Sequence, residues 1–288
     1  MRYHTVISAE VPGVGDWQDG RTIWQAELLS YSLHRAGVDG PLTVCMAGGE
    51  LAIQGAETFA HPNYRFTDRA DYPPFNRPMG MWDWWQATGG PREDVVCIID
   101  PDCVFLRHVD GSEFLPTPHV AVAQDWTWQW VLEEFASCIP GGQAVGIPIF
   151  IRRDDLERLL PWWVEHTRAI YRHNSIERQP WISEMGGYIV AAREAGVDVT
   201  HRLVDYDCDA ILHYFARTDN ATVYRCLQGW DKITYRPWEP IPSLGPPARQ
   251  ELAAILADYR AYRERTGQPM NHVPELVDEL TLASPWGW

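Results

Sequence analysis

The chain has 288 residues, 45% of them hydrophobic, which is enough for one large α/β domain with a full core. Against 24 Lys and Arg stand 39 Asp and Glu, and the formal net charge of −15 argues against a nucleic-acid backbone or an anionic membrane as the main partner. An anionic ligand would need local help from a metal or a few placed cations. The opening MRYHTVISAE has neither the basic start nor the apolar run of a signal peptide, and no stretch reaches the length of a spanning helix, so a cytoplasmic protein is expected. Six cysteines (Cys45, Cys97, Cys103, Cys138, Cys208, Cys226) include no C-x-x-C pair and read as reduced core thiols. Fifteen tryptophans, several in Met81-Trp82-Asp83-Trp84-Trp85, serve the core or offer aromatic faces to sugars, nucleobases or peptide side chains.

In chain order, Tyr3 to Ser8 reads as a strand, and the spacing of Ile23, Trp24, Leu28, Tyr31 and Leu33 predicts a helix stopping at Gly37. Leu42 to Met46 is a second strand, and this β-α-β opening argues for a parallel sheet. A polar loop is expected up to Tyr72, and a helix from Pro78 to Thr88 before Gly89-Gly90. Val95 to Ile99 (VVCII) is an apolar run bounded by turns, the pattern of a strand covered on both faces. Val120 to Gln124 and Ile147 to Ile151 follow as strands. Asp154 caps a helix through Leu159, Trp163 and Ile170 that Pro161 is expected to kink or divide. Trp181 to Ala195 is helical up to Gly196, with Trp181, Glu184 and Tyr188 on one face, and a last helix runs from about Ala248 to Thr266.

The strongest local signal is the strand VVCII running directly into Asp100-Pro101-Asp102. In parallel α/β sheets ligands bind beyond the carboxyl ends of strands, where both acids emerge. Two carboxylates one residue apart can share a hard divalent cation whose shell diphosphate oxygens and water complete. The same three residues also suit a plain turn. Nucleotidyltransferases and phosphatases use strand-end acids too, so the motif fixes the class loosely.

Several segments in order resemble the hydroxyproline O-arabinosyltransferase and peptidyl-serine α-galactosyltransferase group. They are His4 to Ala9 with Trp24-Gln25, Asn76-Arg77-Pro78 leading to Trp84-Trp85-Gln86, and Ile99-Asp100-Pro101-Asp102. Val145-Gly146-Ile147-Pro148 with Asp154-Asp155-Leu156, and Trp181-Ile182-Ser183-Glu184-Met185 with Gly187-Tyr188, continue the series. His213-Tyr214 and Trp230-Asp231-Lys232 close it, so the likeness reaches to about Pro237. It implies a GT-A fold, a Rossmann-like, mostly parallel sheet flanked by helices. It also implies a UDP-sugar donor, a divalent metal such as Mn²⁺ or Mg²⁺, retention at the anomeric carbon and a peptide hydroxyl acceptor. The expected lack of that group's secretory leader and anchor leaves a cytosolic peptide, a small natural product or a free amino-acid derivative open as the acceptor instead. Residues 1–237 are then the glycosyltransferase domain and 238–288 a helical extension packed on it.

The resemblance places His213 as a late metal ligand beside Asp100 and Asp102, with His201 as its competitor and a core histidine as the plain alternative. It aims Glu184 into the cleft, to orient the acceptor or steady positive charge on the sugar ring, rather than leaving it on a solvated rim. Arg77 is suited to a phosphate or carboxylate, or is a surface cation next to a helix-entry Asn76. Ser8, Asn76, Arg77, Asp83, Asp100 and Lys232 form the candidate donor-binding set. Asp83 could hold sugar hydroxyls, and Lys232 could neutralise the leaving diphosphate or pair with Asp231. Asp125, at the end of its strand, is a further candidate acid toward sugar or acceptor. A nucleotidyltransferase is the rival enzyme class, but the first strand leads into EVPGVGDWQDG, which has no lysine or arginine for a phosphate loop. A non-catalytic sugar- or peptide-binding relative is the other rival, and the intact acid pair counts against it.

Overall fold

The computed structural model describes residues 1–11, 19–69, 71–125, 145–174, 183–203, 210–213 and 247–266. In chain order the elements are β1 (His4–Glu10), α1 (Asp19–Arg35), β2 (Leu42–Ala47), β3 (Glu57–His61), α2 (Asn76–Thr88), β4 (Val95–Ile98) and β5 (Cys103–Phe105). β6 (Val120–Asp125), β7 (Val145–Arg152), α3 (Arg153–Asn174), α4 (Ser183–Glu194), β8 (Asp198–Leu203), β9 (Ile211–His213) and α5 (Pro247–Thr266) follow.

Seven strands form one sheet in the order β3-β2-β1-β4-β7-β6-β8. β1 pairs in parallel with β2 and β4, and β2 with β3. β7 runs antiparallel to both β4 and β6, so β6 and its parallel partner β8 point the same way as β4. The fold is thus the expected α/β arrangement, mostly parallel with one reversed strand. β2 and β4 are buried at every position and β1 at all but one, the condition under which continuous apolar strands are stable. The carboxyl ends of β1, β2, β4 and β6 therefore share one edge.

Three expectations are corrected. The segment before Tyr72 is not simply loop: it holds β3, an edge strand with two exposed residues, and 3₁₀ turns at Tyr64–Arg69 and Pro73–Phe75. ETFAH has no clean alternation because only its last residue is buried, so period gave no signal. The second helix starts at Asn76, not Pro78, and ends on left-handed Gly89, whose N–H donates to the Trp85 carbonyl at 2.8 Å. Pro161 does not divide α3. Proline removes the bond to the carbonyl four residues back, here Glu157, and both residues lie on the exposed side of the helix, where water can serve that carbonyl. Sequence period also missed β8.

Cys45, Cys97 and Cys103 are buried free thiols, and burial raises the pKa of the Cys45 and Cys97 thiols well above the ordinary range. The other cysteines lie outside the described residues. Trp84, Trp85 and Trp163 belong to the main core, whereas Trp162 is exposed.

α4, which carries Glu184, is packed tightly on α3. A Cβ built on Gly187 would stand 2.7 Å from the Thr167 backbone nitrogen and 2.8 Å from its Cα, contacts that no side-chain rotation relieves. Gly187→Ala is therefore expected to destabilise the fold by about 1–3 kcal/mol through overpacking, read as a lowered midpoint in thermal unfolding.

Candidate metal and donor site

β4 delivers its chain to the carboxyl edge, and Ile99 stays in line by donating to the Val6 carbonyl at 3.2 Å. The next residues turn back at once, because Cys103 N–H donates to the Asp100 carbonyl at 3.2 Å and closes Asp100-Pro101-Asp102-Cys103. The return arm is β5, whose partner β9 sets Cys103 opposite His213. That register puts the imidazole beside the two acids. His213 Nε2 lies 3.4 Å from Asp100 Oδ2 and 3.4 Å from Asp102 Oδ1. The three side chains can offer ligand atoms that all lie within 4.8 Å of one another, with Asp102 buried and the other two partly open. Two carboxylate oxygens and an imidazole nitrogen are a fitting donor set for a divalent first-row ion. His201, on β8, is not a member of this group.

The β5–β9 pair is too small to hold itself in water. Its apolar side chains Val104 and Leu212 pack with Trp24 and Leu28 of α1 and with Leu252, Ile255 and Leu256 of α5. Phe105 N–H also donates to Ser32 Oγ of α1 at 3.0 Å.

Arg77 sits in the first turn of α2, which places it at the same edge. Its Nη2 pairs with Asp100 Oδ1, while Nη1 lies 3.0 Å from both oxygens of Glu184. Glu184 is buried, its side chain only 5% exposed. Burial pushes its pKa upward and Arg77 pulls it back. Its backbone is fixed as well: the amide donates to Tyr72 Oη at 3.0 Å, and its carbonyl accepts from Trp163 Nε1 at 2.9 Å. Tyr72 thus serves one of the amide donors that a helix start leaves unpaired.

Asn76 is a bracket between loop segments. Its Oδ1 accepts from Tyr64 N–H at 2.7 Å and its Nδ2 donates to Asn63 Oδ1 at 3.1 Å. Asn63 in turn donates to Glu10, the last residue of β1, and Arg65 Nη1 lies 3.7 Å from the same carboxylate. Asp83 accepts from Tyr64 Oη at 2.6 Å, one helical stretch away from Arg77. Ser8 lies in β1 opposite Cys45, and Asp125 ends β6 at the shared edge, opposite Val145. Lys232, Asp231, Trp230 and Trp181 lie outside the described residues. Sequence reading gave Tyr72, Trp163, Glu10 and Asn63 no part in the site. The placement of Tyr72 in a Pro-rich entry to α2 was their only visible sign.

The sequence model of the hydroxyproline O-arabinosyltransferase family N-terminal domain matches residues 56–203. Peptidyl serine alpha-galactosyltransferase of Arabidopsis thaliana is 27% identical over 230 residues, covering 71% of this chain and 27% of that protein. The protein of the same name from Chlamydomonas reinhardtii is 24% identical over 213 residues, covering 60% and 28%. The chain spans little more than a quarter of the length of these curated relatives. Among solved structures, galactosyltransferase LgtC in complex with donor and acceptor sugar analogues superposes with a TM-score of 0.51 at 11% identity, covering 94% of this chain and 98% of that one. The chain has the GT-A fold.

Tyr72→Phe removes the acceptor of the Glu184 amide without changing the packed ring. It is expected to cost about 1–3 kcal/mol, the scale of a buried donor left without that partner, measured by chemical denaturation.

Proposed function

The chain belongs to the hydroxyproline O-arabinosyltransferase family, and on that premise we propose that it is a metal-dependent glycosyltransferase moving a sugar from a UDP-sugar to a hydroxyl acceptor, a peptide side chain first of all. Asp100, Asp102 and His213 carry this reading, because they converge at the carboxyl edge of the sheet with the donor set of a divalent cation site. Mn²⁺ suits the mixed oxygen and nitrogen ligands, and Mg²⁺ the oxygens. A bound ion would supply the positive charge that lets a chain of net charge −15 hold a diphosphate.

This chain's own residues then divide the work. Asp100 and Asp102 orient the cation site, and His213 closes it from β9. Arg77, in the turn that opens α2, fixes the oxygen of Asp100 that faces away from His213. Ser8, Asn76 and Asp83 belong to the donor side, Asn76 by shaping the segment that leads into α2. Lys232 is assigned to the leaving diphosphate and Asp125 to the sugar or acceptor, with Glu184 as the buried acid of the site. The acceptor hydroxyl attacks from the leaving-group face of the donor, with retention. The peptide acceptor is supported by the names of the two curated relatives, and UDP by the family resemblance.

Residues 1–237 form the transferase domain in this reading and 238–288 its extension, supported by the packing of α5 on α1 and on the β5–β9 pair. Among the described residues no helix is long and apolar enough to cross a membrane.

Incubation with UDP-galactose or UDP-arabinose and peptides carrying serine or hydroxyproline is expected to add the mass of one hexose or pentose, and no addition with any such pair rejects the assignment. UDP binding measured by calorimetry is expected to require divalent metal, so equal affinity in EDTA and in Mn²⁺ counts against it. Asp102→Ala is expected to fold and to lower turnover by on the order of 10²-fold or more. His213→Ala is expected to raise the Mn²⁺ requirement while the melting temperature of the metal-free protein barely moves. A packed core histidine would show the reverse, since its truncation leaves a cavity.

A further inference from the structure

We propose that Glu184 is a positioning residue that acts on the metal site through Arg77: by holding and neutralising the guanidinium, it keeps the His213-facing oxygen of Asp100 available to a divalent cation. This rests on the metal assignment made for Asp100, Asp102 and His213.

An arginine fork can take both oxygens of one carboxylate at once. Arg77 does not. One arm meets Asp100 Oδ1, and the other lies 3.0 Å from both Glu184 oxygens. Asp100 Oδ2 is thereby left toward the metal group, 3.4 Å from His213 Nε2. A cation touching a metal ligand has two effects on the site: it competes for the ligand and it repels the incoming ion. Glu184 opposes both, because it pins one arm and cancels the charge. With its side chain 5% exposed and its backbone held by Tyr72 and Trp163, it is built into the wall. Its influence on the reaction therefore runs through the guanidinium.

The test is Mn²⁺ affinity of the full chain, measured calorimetrically without nucleotide, for the parent protein, Glu184→Gln and Arg77→Met/Glu184→Gln. Glu184→Gln keeps the shape and removes the charge, so Mn²⁺ binding is expected to weaken by about tenfold, the scale of one screened unit charge nearby. The double variant removes the uncompensated cation too and is expected to regain most of that loss, since the two residues act as a unit. A merely structural role for Glu184 moves the melting temperature but predicts no such recovery.

Unchanged Mn²⁺ affinity in folded Glu184→Gln overturns the proposal, and so does a double variant that binds as weakly as the single. Should Glu184→Gln fail to fold, Glu184→Asp makes the same test. A carboxylate one methylene shorter draws back from the guanidinium and holds it less well, so weakened Mn²⁺ binding is expected, and unchanged affinity overturns the proposal. A parent protein that binds no Mn²⁺ rejects the metal assignment and this proposal together. Parent binding that Asp102→Ala abolishes and Glu184→Gln leaves intact rejects this proposal alone.

Discussion

Asp100, Asp102 and Glu184 crowd three carboxylates around the end of one buried strand, and such a group keeps its charge only where cations are placed among them. Arg77 is the cation that links two of the three, and the surrounding elements converge on holding it in place. α2 starts where it does so that its first turn reaches the sheet edge. The first turn of α4 is held in place because Tyr72 takes up the Glu184 amide and Trp163 its carbonyl. The close contact of Gly187 with Thr167 then fixes how near α4 can come to α3, and so how far Glu184 reaches. The site's electrostatics and the packing of two helices are thus one problem.

Much of this was legible in the sequence. VVCII followed by Asp-Pro-Asp announced a covered strand ending in two acids, and the strand and the turn both stand. Long helices with clear stops, such as the one ending before Gly89, were equally plain. What stayed hidden is tertiary. No spacing rule links Arg77 to Glu184, because their contact depends on where two separate helices start. Nor could periodicity expose β3 or β8, strands whose burial pattern is set by position near the edge of the sheet. Asn76 shows the opposite case: its identity suited a ligand or a turn, and its two hydrogen bonds occupy it in holding the Asn63-Tyr64 segment.

The network from Glu10 through Asn63 to Asn76 joins the end of β1 to the start of α2. Both ends lie at the same sheet edge, so the arrangement ties the loop before α2 to the edge where the acids emerge. Arg65 and Asp71 extend it outward as an ion pair. Polar groups at such an edge are costly when half satisfied, and here each of the named side chains has a partner.

The reliance of β9 on α1 and α5 also decides how the candidate ligands are brought together. Asp100 and Asp102 are placed by a tight turn and by the central sheet. His213 comes from far later in the chain, on a two-stranded ladder whose apolar side chains need α5 against them. The three candidate ligands therefore come together only where that ladder is docked against both α1 and α5. A helix at the far end of the described chain thus bears on the placement of His213 from behind, through the ladder that carries it.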